Sequence, residues 1–140
     1  MKTILLTTLF LLACCLPVFA QQKMYEPKKG SAERKAVINA IRDYDIRKNP
    51  DIPDETFVAS GLKIQGNWAY ANVEQKTSSG ELVYGQAHIF LHKTRAVWKV
   101  AFSTFNDTNE VGVDGLERLK KKHKDFPKQL ADYAMTFLAG

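Results

Sequence analysis

Two periodicities divide the chain. Val37, Ile38, Ile41 and Tyr44 recur at helical spacing and draw an apolar stripe along an otherwise polar segment. Ser31 stands before it as an N-cap and Glu33 sits in the first turn, where a negative charge suits the helix dipole. Asn49-Pro50 closes the helix, because a residue before proline is pushed out of the α region. The pattern predicts a helix over 31–47. From Val58 the period falls to two. Val58, Leu62 and Ile64 alternate with polar or small neighbours, and Gly66-Asn67 makes a turn. A strand over 68–76 follows, with Ala69, Ala71 and Val73 on one face and Trp68, Tyr70 and Asn72 on the other. Thr77 to Gly80 turns the chain into a long strand over 82–93. A polar turn at 93–95 then leads to a last strand over 96–105, with Trp98, Val100 and Phe102 on one face. Four runs joined by short turns predict an antiparallel meander.

Beyond the polar loop 106–112, Asp114 can cap a helix that carries Leu116 and Leu119 and ends near Asp125. Pro127 opens a second helix, with Leu130, Tyr133, Ala134, Phe137 and Leu138 on one stripe. The expected fold is therefore α+β: an N-terminal helix packed on a four-stranded antiparallel sheet, with a helical C-terminal tail, in a single domain over 31–138. Val37, Ile41, Ile64, Ala71, Ile89, Leu91 and Val100 are its expected core. Residues 21–30 show no period and read as a flexible leader.

The first twenty residues carry a different signal. Lys2 is followed by an apolar run over 4–16 and by Val18-Phe19-Ala20, the small-x-small ending of a secretory signal peptide. The run falls short of the ~20 apolar residues that cross a bilayer. Export to the periplasm or the medium is the expectation. Leu11-Leu12-Ala13-Cys14 resembles a lipobox, so an anchored lipoprotein modified at Cys14 is the alternative. Both cysteines, Cys14 and Cys15, lie in this segment. Cleavage after Ala20 leaves a chain with no thiol nucleophile, thiolate ligand or disulfide, which favours a bacterial envelope over an animal secretory origin.

Candidate chemistry concentrates on the third strand. Tyr84, Gln86, His88, Phe90 and His92 share one parity, and Trp68 and Tyr70 add rings to that face. Trp68, Tyr70, Tyr84, His88, Phe90 and His92 are the candidate ligand-binding residues, for an apolar or carbohydrate ligand. The alternative is that the rings form a second core layer beneath the C-terminal helices. His88 and His92, four steps apart on a strand, stand about 13 Å from one another and cannot share a metal ion. The oxygen-rich cluster Asn106, Asp107, Asn109, Glu110 and Asp114 lacks the alternation of an EF-hand. Ser103, His88 or His92, and Asp107 make a triad on paper only, with no nucleophile elbow. Asp43 and Asp45 project to different sides of their helix, and Asp51 and Asp54 sit in a proline-rich connection. No catalytic residue, metal or cofactor is expected.

The charge is +5, and +4 once Lys2 is removed. Its excess lies in Arg118, Lys120, Lys121, Lys122 and Lys124, the candidate anion contacts. At ~100° per residue five near-consecutive cations fan around a helix. The expectation is a diffuse field giving weak, salt-sensitive contact with anionic lipid or glycan, with nucleic acid disfavoured.

The segments Ala32-Glu33-Arg34-Lys35-Ala36-Val37-Ile38, Leu62 to Tyr70 and Ala96-Val97-Trp98-Lys99-Val100 resemble a family of small, exported, uncharacterised bacterial proteins. In that family a helix opening Ala-Glu-Arg precedes a Val-Gln-Gly-Asp-Trp-Ala-Phe hairpin and an Arg-Trp-Arg-Val strand. The resemblance covers about 31–105, with Asn67 and Tyr70 departing conservatively, and does not reach the helical tail. The order of elements also resembles cystatin-like and NTF2-like folds. Those scaffolds serve as inhibitors, binding modules and occasional enzymes. The expected function is a non-catalytic envelope protein that binds an unidentified protein partner, of inhibitor or toxin-neutralising type. The alternative is a small-ligand carrier or enzyme using the aromatic and histidine face.

Overall fold

The computed structural model describes residues 22–48, 56–105 and 112–139. The signal-like segment, the 49–55 connection and the 106–111 loop lie outside the described residues, as do Cys14, Asp51, Asp54 and four members of the oxygen-rich cluster, Asn106, Asp107, Asn109 and Glu110. The elements run α1 (Ala32–Lys48), β1 (Thr56–Ala59), β2 (Lys63–Gln65), β3 (Trp68–Lys76), β4 (Leu82–Thr94), β5 (Val97–Ser103), α2 (Gly112–Lys122) and α3 (Lys128–Leu138). All strand pairs are antiparallel. The sheet order is β1-β3-β4-β5, with β2 pairing β3 beside β1. The class is α+β, as the element order implies.

The sheet is buried on both faces along most of β3 and the later part of β4. Val37 and Ile41 of α1 meet Phe57, Leu62, Ile64, Ala69, Ala71, Val73, Ala87, Ile89, Leu91 and Trp98 on one side. On the other side Trp68, Tyr70 and Phe90 meet Leu116, Leu119, Leu130, Ala131 and Ala134 of the C-terminal helices. The C-terminal segment is thus the third layer of a helix–sheet–helix sandwich. Ser31 caps α1 as expected, its hydroxyl accepting from Arg34 N–H at 3.2 Å. Six of the seven expected core residues are fully buried; Val100 is partly buried against the same cluster.

Four local readings change. The first expected strand is broken into β1 and β2, and its alternation slips between them. Phe57 is buried and Val58 is 41% exposed. In β5 an extra residue, Ala101, enters between the pairs Leu91↔Val100 and Phe90↔Phe102. This bulge separates Phe102 from Trp98 and Val100, and sends it to the C-terminal layer. The β4–β5 turn falls at Arg95 and Ala96, both with positive φ (50° and 65°), because a two-residue loop of that hand matches the twist of the strands.

Residues 22–30 are docked rather than a free leader. Tyr25 and Ile64 exchange both backbone hydrogen bonds, at 2.9 and 2.8 Å. Glu26 pairs with Arg34 and Lys63, and Met24 packs into the C-terminal layer. The Tyr25 hydroxyl donates to Glu33 at 2.8 Å. Partial burial, with that carboxylate, pushes its pKa up to about 12. A single bridge has no period, so a pattern search passes over it.

Candidate functional site

The ring face is built by β3 and β4, whose register sets Trp68 opposite His92, Tyr70 opposite Phe90 and Asn72 opposite His88. Trp68, Tyr70 and Phe90 are buried, while His88 and His92 are half-buried. These rings pack on one another and on the helices above. Trp68 lies 4.3 Å from His92, 4.9 Å from His123 and 4.7 Å from Phe126, centroid to centroid. Tyr70 lies 5.1 Å from Phe90, 5.9 Å from Tyr133 and 5.8 Å from Phe137. The polar tips are also engaged. Trp68 Nε1–H donates to Asp125 at 3.2 Å, and the Tyr70 hydroxyl meets His88 Nδ1 at 2.8 Å.

Burial pushes the Tyr70 phenol up and His88 down, which favours the neutral form of each. The side chain of Tyr84 lies outside the described residues. The register slips between Val73↔Ala87 and Gln75↔Tyr84, so the alternation that linked position 84 to His88 is interrupted. One polar atom on this face, Asn72 Oδ1, is buried without a hydrogen-bond partner. Among the described residues no group of three or more histidines, cysteines or carboxylates is placed to hold a metal ion.

A cavity opens elsewhere, between α2 and β5. It measures about 520 Å³ and is lined by Ala101, Phe102, Gly115, Arg118, Leu119, Lys121 and Lys122. That volume falls within the range of small-molecule sites. Its apolar lining is half-buried Phe102, Leu119 from the buried stripe of α2, and the exposed Ala101 of the bulge. Gly115 sets the close approach. A Cβ there would fall 2.1 Å from the Phe102 ring, so only glycine lets the helix backbone rest on that ring.

Three exposed cations complete the lining. Residues 118, 121 and 122 stand at i, i+3 and i+4 and share one side of the helix. Lys120 points to another arc and pairs with Glu117 at 2.8 Å, and Lys124 lies beyond the end of α2. Lys121 and Lys122 are exposed and have no carboxylate partner among the described residues. Arg118 and the two lysines were legible from the sequence as charges. Ala101, Phe102 and Gly115 were not, because only the bulge and the helix–strand contact bring them together.

No protein-family model matches the chain, and no curated protein or solved structure matches it significantly.

Proposed function

We propose that this is an exported, non-catalytic binding protein that takes an anionic partner in the cleft between α2 and β5. The observation that carries the reading is the convergence of Arg118, Lys121 and Lys122 on one partly apolar cavity. Like charges gathered on a concave, low-dielectric wall concentrate their field, and a bound anion relieves their repulsion. The ring face is a poorer candidate. Trp68, Tyr70 and Phe90 are occupied in packing and in internal hydrogen bonds, as a second core layer requires. The resemblance to cystatin-like and NTF2-like scaffolds agrees with a binding role, including an inhibitor or toxin-neutralising one. Export rests on the segment ending Val18-Phe19-Ala20.

The test compares two double substitutions of equal charge on a heparin column at low salt. Lys121→Gln/Lys122→Gln should abolish retention, whereas Lys120→Gln/Lys124→Gln should keep most of it. Equal losses would mean a diffuse basic surface and overturn the assignment to the cleft.

A further inference from the structure

The chemistry of the cleft specifies its occupant more closely. We infer that it binds a single-chain amphiphilic anion, an acyl chain ending in a carboxylate, with the tail on Phe102, Ala101 and Leu119 and the head among Arg118, Lys121 and Lys122. This rests on the binding role proposed above and goes beyond it in naming the ligand class.

Three observations support the choice. First, the lining joins buried Leu119 and half-buried Phe102 to three exposed cations. A compact polyanion would leave the apolar lining wetted, and a neutral chain would leave Lys121 and Lys122 unanswered. An amphiphile satisfies both. Second, the cavity of about 520 Å³ suits one small molecule rather than a membrane surface. The large apolar side chains exposed most fully (Tyr25, Val58, Leu82, Val83 and Val97) do not line it, so the cleft is not part of a broad insertion face. Third, the apolar lining is held in place from below. Phe102 packs on Phe90 at 6.2 Å and under Gly115, and Leu119 is buried in the same layer. The apolar surface is therefore preformed, which limits the ordering required on binding.

Lys121 and Lys122 also lie in the last turn of α2, where cations favour the helix dipole. That placement explains one or two lysines on any arc of the helix. It does not explain why Lys121 and Lys122, both exposed and with no carboxylate partner among the described residues, both line the cavity.

The experiment is isothermal titration of the full exported chain with dodecanoate below its micelle threshold, alongside decanoate, dodecanol, butyrate and unilamellar anionic vesicles. Dodecanoate should bind at one per chain. Decanoate, two methylenes shorter, should bind about tenfold more weakly. Dodecanol and butyrate should bind at least tenfold more weakly than dodecanoate. Ala101 is exposed on the bulge, so Ala101→Trp fills the cleft without disturbing either core and should abolish binding. Lys121→Gln/Lys122→Gln should weaken it tenfold or more, and Lys120→Gln should leave it unchanged.

Equal binding of dodecanol, or binding that survives Ala101→Trp, overturns the inference. So does binding of vesicles without binding of monomeric dodecanoate, which would assign the cations to a membrane surface. Anions that bind in a Lys121- and Lys122-dependent way but with no dependence on chain length would sink the amphiphile and leave the anion-binding role standing. Failure of every anion would remove both.

Discussion

His88 shows how one residue carries a condition into the whole fold. Its imidazole is half-buried against Tyr70, and that burial lowers its pKa from the ordinary value near 6.5. A neutral histidine is therefore favoured in the folded chain. The unfolded chain takes up the proton first as pH falls, so stability from this group is complete above about pH 6.5 and is lost below it. Chemical denaturation at pH 7.5 and pH 5.5 should show a lower midpoint in acid. His88→Gln should reduce that difference while preserving a hydrogen-bond partner for the Tyr70 hydroxyl. An unchanged pH slope in the variant would place the acid sensitivity elsewhere.

At the scale of the element, the start of α3 depends on a distant side chain. Pro127 precedes it and makes no side-chain cap. The orphan N–H of Leu130 instead donates to Oε1 of buried Gln65 on β2 at 3.1 Å. Nε2 of the same side chain donates to Gln22 carbonyl oxygen at 2.9 Å and to Gln129 Oε1 at 3.1 Å. One amide thus joins the docked N-terminal segment, the sheet and the last helix. Gln65→Leu keeps the volume but removes all three bonds and leaves a buried donor unmet. It should destabilise the protein by about 2 kcal/mol in equilibrium denaturation. The helix pattern of 128–138 was readable in advance through Leu130, Ala134 and Phe137, but its cap was not. No local motif marks a glutamine 65 residues away.

For the whole molecule, the docked segment bears on processing. Gln22, Met24 and Tyr25 already contact β2 and the C-terminal layer. A chain cut after Ala20 begins at Gln21, one residue before the first of these contacts. A lipoprotein beginning at Cys14 would have seven further residues as a tether to the bilayer. On the export proposed above, intact-mass analysis of the protein recovered from envelope or medium should find Gln21 at the N-terminus. A lipidated species beginning at Cys14 would replace free diffusion with anchoring, while leaving the cleft at α2 and β5 unchanged.

Local order and face could be read without coordinates where a period persists. Val37 and Ile41 mark one side of a helix, Ala69, Ala71 and Val73 one side of a strand, and these alternations require neighbours to bury them. The two-sided burial of the sheet was foreshadowed by Trp68, Tyr70 and Phe90 lying opposite the alanines. Periodicity fails where a residue is inserted or a contact is long-range. Ala101 shifts Phe102 to the other face, β1 and β2 fall out of phase around Gly61, and the register slips before Tyr84. The cleft depends on the first of these irregularities and on the meeting of Gly115 with Phe102. The charges of Arg118, Lys121 and Lys122 were written in the chain, but their shared concavity arises only when a helix is laid against a bulged strand. Side-chain chemistry is local, whereas the apolar lining that gives it a shape is assembled from segments that meet only after folding.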